Sequence, residues 1–260
     1  MLRNGFYNVI GATWRMALSV VTVPLLIRLI GVEVYGVWVL VMAGIGVVAL
    51  AEAGLSISTT VFVSQDLAKS DREGLAQTLT VTIGAMLILA TLAGAVYAGS
   101  AIFYPSLFPD LTQAQRETMG QAMIVGGVVI WAQLMQRVLI GVEQAYQRYA
   151  VLNGIITIEV TLRSVGLLAI AAAGGGIVEF MQWQAVVSSG ALLVHSAVVW
   201  RLLPRSSIRP MWNGVKGRMI ARYSVLTWVS SIGGTSVFSI TSSLDWVIDF
   251  SADKADCHIS

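Results

Sequence analysis

A chain of 260 residues that is 56% hydrophobic, only 12% charged and has a mean hydropathy of +0.77 carries too much apolar surface for a single soluble core. One cysteine, Cys257, excludes an intramolecular disulfide and a thiolate metal site. The formal charge of +2 gives no basis for a nucleic-acid partner.

In chain order, seven apolar stretches are each near the roughly 20 residues a spanning helix needs. They lie at roughly 9–31, 36–62, 77–103, 119–141, 151–173, 176–200 and 224–248. They are continuous runs, such as Ala122–Trp131, rather than the alternating segments of a porin strand. The expected fold is all-α: a polytopic membrane bundle of about seven helices. Arg15 interrupts the first run and no small-x-small cleavage site follows, so the first helix is read as retained rather than as a signal peptide. Pro105, Pro109 and Asp110 end the third helix in a loop at 104–118. Four segments follow: a six-helix bundle at 1–200, a basic loop at 201–223, a seventh helix at 224–248 and a polar tail at 249–260.

Basic residues are retained on the cytoplasmic side of short loops. With the N-terminus inside, that side carries Arg3, Lys69, Arg72 and Arg148, then Arg201, Arg205, Arg209, Lys216, Arg218 and Arg222. The opposite side has Arg116, with Arg28 at a helix edge. The N-terminus and loop 201–223 are therefore expected in the cytoplasm. The acids of the short turn, Asp66, Asp71 and Glu73, read as a solvated cluster.

Two segments carry a resemblance. Pro24–Leu40 (PLLIRLIGVEVYGVWVL) and Ala51–Ala68 (AEAGLSISTTVFVSQDLA) resemble the opening of lipid-linked oligosaccharide flippases. These form the O-antigen and polysaccharide branch of the multidrug/oligosaccharidyl-lipid/polysaccharide exporter superfamily. The matching elements are Pro24, the Arg28–Gly31 turn, Glu33 with Tyr35 and Gly36, and Glu52 with Gly54 and Leu55. Gly141–Asn153 is similar to that family's loop between helices four and five. The resemblance implies two six-helix halves and about 12 to 14 helices in all. Ser239–Ile248 looks like the end of a seventh helix, but DFSADKADCHIS does not resemble what should follow. A truncated or frame-shifted member, and with it a non-functional fragment, is the corresponding expectation.

Ionisable groups at membrane depth are costly and normally face a bundle interior or wet cavity. Glu159 and Arg163 stand four residues apart on helix five, with the acid N-terminal, the better order for a pair. Arg15 lies about two turns into helix one and Glu52 in helix two; the two could equally pair with each other. Arg137 follows Gln133 and Gln136 on helix four, close enough to its end, like Arg28, to snorkel. His195 reads as a packing or interfacial residue rather than a proton relay, and Glu179 as interfacial. By the resemblance, Arg15, Arg163, Arg137 and Gln133 would line a cavity for the pyrophosphate of an isoprenoid-linked glycan. Arginine suits that task because its fork donates two hydrogen bonds to one phosphate. Glu52 and Glu159 would balance charge or couple to an ion.

No HExxH, GxSxG or GxxxxGK[ST] motif occurs, so neither an enzyme nor an ATP-driven pump is indicated. No metal site and no cofactor are expected. A seven-helix photoreceptor is excluded because helix seven has no lysine for a Schiff base. The function implied is a flippase of the bacterial inner membrane, its partners membrane lipid, the lipid-linked glycan and polysaccharide polymerase and ligase machinery. The rival reading is an ion-coupled drug or cation antiporter of the same superfamily.

Overall fold

A computed structural model describes residues 2–50, 53–203 and 211–230, and all regular structure among them is helical. The elements are α1 (Leu2–Ile30), α2 (Val32–Leu50), α3 (Ala53–Ala68), α4 (Arg72–Ser100), a 3-10 turn (Tyr104–Leu107), α5 (Gln113–Ala145), α6 (Tyr149–Ala172) and α7 (Ile177–Leu202). A further helix, α8, runs over 214–230. Among the described residues, five helices are long and apolar enough to cross a membrane: Thr13–Ile30 of α1, then α4, α5, α6 and α7. The chain is a multi-pass helical membrane bundle.

Two predicted spans differ from the structure. The stretch at 36–62 is divided into α2 and α3, with residues 51–52 and hence Glu52 outside the described residues. Residues 224–230, the described part of the stretch at 224–248, belong to a helix that begins at 214, inside the segment read as a loop. The reason is a cap: the Asn213 side-chain oxygen accepts the backbone N–H groups of Val215 (3.0 Å) and Lys216 (3.2 Å), satisfying donors that a helix start leaves open. The rest of that span and the tail lie outside the described residues.

Local signals fix the other ends. Asp71 caps α4 by accepting from Gly74 N–H at 2.8 Å. Thr112 and Gln115 form a reciprocal capping box at the start of α5. Gly31 and Gly174 take positive φ, +82° and +81°, the left-handed conformation that lets helices stop and reverse within a residue or two.

Helix α5 is the hub, packed against α2, α3, α4 and α7, while α1 packs on α6 and α6 on α7. Between helices in lipid there is little hydrophobic drive, so small residues that permit close backbone approach do the work. A Cβ on Gly94 of α4 would stand 2.7 Å from the Gly127 carbonyl oxygen of α5, and the converse holds for Gly127. One turn further on, Tyr97 wedges between α2 and α5, its ring filling the space above Gly44 and Gly126. Its hydroxyl donates to the Val41 carbonyl at 2.7 Å. On the outside the residues are apolar: Val20, Ile88, Leu92, Val96, Ile124, Ile158, Leu162 and Leu193 are all exposed. Overpacking a tight interface costs about 1–3 kcal/mol. Gly127→Leu should therefore lower the thermal unfolding midpoint in detergent, whereas Ile124→Leu on the exposed face should leave it unchanged.

Candidate functional site

Polar groups collect in three places, two of them seams between parallel helices. The first is the α1–α6 seam. Trp14 Nε1 donates to Thr161 Oγ1 at 3.0 Å and fixes the register of the two helices. Gly11 leaves the space where Arg15 Nη1, Thr157 Oγ1 and Asn153 Oδ1 converge; a Cβ there would lie 3.2, 3.5 and 3.8 Å from them. Further along α6, Arg163 Nη2 donates to Glu159 Oε1 at 2.5 Å, the carboxylate side chain 8% and the arginine 24% exposed. Arg15 Nη1 and Arg163 Nε are buried without a hydrogen-bond partner among the described residues. The two guanidinium groups stand at membrane depth on different faces of α6, Arg15 against the Asn153/Thr157 face and Arg163 further round the helix beside Glu159, each with an unused donor among the described residues.

The second is the α5–α7 seam. Gln136 Nε2 donates to the Ser188 carbonyl at 2.8 Å, and Glu143 Oε1 lies 2.8 Å from His195 Nδ1. Both contacts join residues 52 apart in sequence, which shows that α5 and α7 run in parallel and in constant register. Glu143 and His195 are 0% exposed. Among the described residues Glu143 Oε2, His195 Nε2, Gln184 Oε1, Ser188 Oγ and Tyr146 Oη are buried with no partner. Tyr146 lies just beyond α5, and burial pushes its phenol above the ordinary range, so it stays a neutral hydrogen-bonding group.

The third is a knot where α8 returns to the α3–α4 turn. Lys216 Nζ donates to Asp66 Oδ1 (2.9 Å), Asp66 Oδ2 (2.8 Å) and the Gly74 carbonyl (2.6 Å). Thr78 Oγ1 donates to Asp66 Oδ2 at 2.5 Å. Asn213 Nδ2 donates to Gln77 Oε1 at 3.0 Å. Above the knot, Ser224 meets Ser58 Oγ to Oγ at 2.7 Å, and the Phe62 and Tyr223 rings meet edge to face. An open groove of about 720 Å³ runs between α3, α4 and α8; among the described residues Arg218 is the one charged residue lining it.

Set against the sequence reading, Glu159 forms the expected intrahelical pair with Arg163, while Arg15 meets α6 on the Asn153/Thr157 face, so the two arginines are not brought together. Gln133 and Arg137 belong to α5 instead; Gln133 is half-buried and Arg137 exposed, while Gln136 takes the inward position. Asp66 does not belong to a solvated turn: it is 7% exposed and committed to Lys216. Of the two readings of His195, packing and interfacial, the structure shows the buried one: it is fully buried on Glu143. Glu143 escaped the sequence reading. Its signal is a matched pair of spacings, Gln136 to Glu143 and Ser188 to His195, each seven residues and so on one helix face. No protein-family model matches the chain, and neither does any curated protein or solved structure.

Breaking a mostly buried ion pair by removing one partner costs about 3–5 kcal/mol. Lys216→Met should therefore lower the unfolding midpoint and open the α8 end to protease. The double variant Asp66→Asn/Lys216→Met should recover a large part of that loss, because no uncompensated charge stays behind.

Proposed function

We propose that this protein is a flippase-like transporter that moves an isoprenoid-pyrophosphate-linked oligosaccharide across the bacterial inner membrane. The observation that carries the reading is two arginines at membrane depth, Arg15 on α1 and Arg163 on α6, each with a buried donor that has no partner among the described residues. Charge at membrane depth is costly unless it has a task there. Guanidinium donors suit a pyrophosphate, which offers several anionic oxygens to a bidentate fork. The resemblance of Pro24–Leu40 and Ala51–Ala68 to lipid-linked oligosaccharide flippases points the same way.

In this reading Arg15 and Arg163 hold the anionic head group while the sugar stays in an aqueous cavity, and Glu159 compensates Arg163 when the site is empty. Glu52 would add a second compensating charge. Movement between leaflets follows from rocking one helix group against another around a fixed midplane site. The bundle end that gathers Lys69, Arg72, Arg148, Arg201 and Lys216 would face the cytoplasm, and with it the N-terminus. Polymerase and ligase machinery would act on the delivered glycan.

The rival, an ion-coupled drug or cation antiporter, draws on one observation, the buried Glu159 carboxylate. Arg163→Ala should abolish surface glycan in a complemented deletion strain while membrane insertion stays normal, and Arg163→Lys should restore part of it. Unchanged glycan in Arg163→Ala would remove the assigned role. Drug sensitivity with normal glycan on deletion would favour the antiporter.

A further inference from the structure

The Glu143–His195 pair has no part in the proposal above, and a purely structural reading leaves much of it unexplained. A buried ion pair is weak evidence for stability, because desolvation offsets its attraction. Each buried polar atom left without a partner costs a further 1–3 kcal/mol or so. Here the pair leaves Glu143 Oε2 and His195 Nε2 orphaned, and the same seam orphans Gln184 Oε1 and Ser188 Oγ. The polar stripe from Gln184 to His195 covers eleven residue steps of α7, about 16 Å at helical rise. It lies inside a bundle whose outer face is apolar. Two ligating side chains are too few for a resident divalent metal, and among the described residues no third His, Cys, Asp or Glu joins them.

From this geometry we infer that Glu143 and His195 form a proton-binding site, with the proton entering and leaving at His195 Nε2 along the α5–α7 seam. The Nδ1–H stays donated to Glu143 Oε1 at 2.8 Å, which fixes the tautomer and leaves Nε2 as the exchanging atom. Uptake forms one N–H bond: a proton from hydronium joins the Nε2 lone pair, water is released, and the charge of the pair goes from −1 to 0. Release is the reverse and leaves a carboxylate facing only a neutral imidazole. A net charge in a dry bundle is costly, so release is favoured where the seam is hydrated. The proton-bound pair holds α5 and α7 together; the proton-free pair favours their separation. Proton occupancy and opening of this seam are thereby two sides of one equilibrium.

Among the described residues, the other ionisable groups at this end of the bundle include Arg137 on α5, Tyr146 just beyond it, Arg148 and Tyr149 at the start of α6, and Arg201 at the end of α7. Lys69, Asp71, Arg72 and Glu73 lie at the α3–α4 turn, and Asp66 is engaged by Lys216. Helices α1 and α2 meet at the opposite end, where Arg28 and Glu33 lie.

The test does not depend on the glycan reading, since it is read on the protein alone. The full chain carrying Cys257→Ser and Ser188→Cys is placed in bilayer nanodiscs, and the rate of thiol modification by a small water-soluble methanethiosulfonate is followed between about pH 5 and 8, where histidine charge changes occur. After correction for the reagent's own pH dependence, the rate should rise with pH by up to tenfold per unit, the limit for one linked proton. In His195→Gln the corrected rate should be flat. A second measurement needs no variant in the pair: with His258→Gln as the only change, His195 is the one imidazole left, and its ¹⁵N shifts report Nε2 protonation directly. A change at Nε2 with Nδ1 still protonated supports the site. An Nε2 signal that does not change over that range, or a corrected labelling rate as steep in His195→Gln as in its parent, overturns it and leaves a static clamp.

Discussion

A polar group inside a lipid-embedded bundle must find its partner within the protein, and that constraint organises the molecule. No water in the hydrocarbon region can satisfy a stray carboxylate or guanidinium. The outward faces of α4, α5, α6 and α7 are accordingly apolar, and the polar side chains are turned into seams. On α6 the alternation is visible residue by residue: Ile158 and Leu162 are exposed while Glu159 is buried. A soluble protein of the same helices would show the reverse.

Close packing makes those seams possible. Glycines bring α4 onto α5 through Gly94 and Gly127, and α3 onto α5 through Gly141, where a Cβ would lie 2.9 Å from the Ser56 carbonyl. Trp183 stands over Gly166 and donates to the Leu162 carbonyl at 3.0 Å, joining α7 to α6. The hub helix α5 is held from several sides by contacts that a single methyl group would disturb. Against that tight frame, the α1–α6 and α5–α7 seams retain unpartnered donors and acceptors. Tight packing beside incompletely satisfied polar seams is the contrast expected where a bundle must hold its shape and still accept a charged guest.

Much of the fold was legible in the sequence because spanning helices announce themselves by length and hydropathy. The runs at 77–103, 119–141, 151–173 and 176–200 all fall on single long helices. The Glu159–Arg163 pair was legible as well, since four residues on one helix is a local pattern. What escaped was either a cap or a contact between distant segments. The start of α8 depends on Asn213, a polar residue in a basic stretch that reads as loop. Asp66 looks solvated until Lys216, 150 residues on, is seen to cover it. Glu143 and His195 each look like an isolated ionisable residue near a helix end, and only the parallel register of α5 and α7 reveals them as a pair.

The inward turning of polar residues is the claim on which both functional readings stand, and it can be measured directly. Single nitroxide labels placed in turn along α6 from Thr157 to Gly166, in a bilayer, report collision with lipid-dissolved oxygen. The account predicts oxygen accessibility peaking at Ile158, Leu162 and Val165 with a minimum at Glu159, a helical period set by the buried face. A flat profile, or maxima at Glu159 and Arg163, would contradict it.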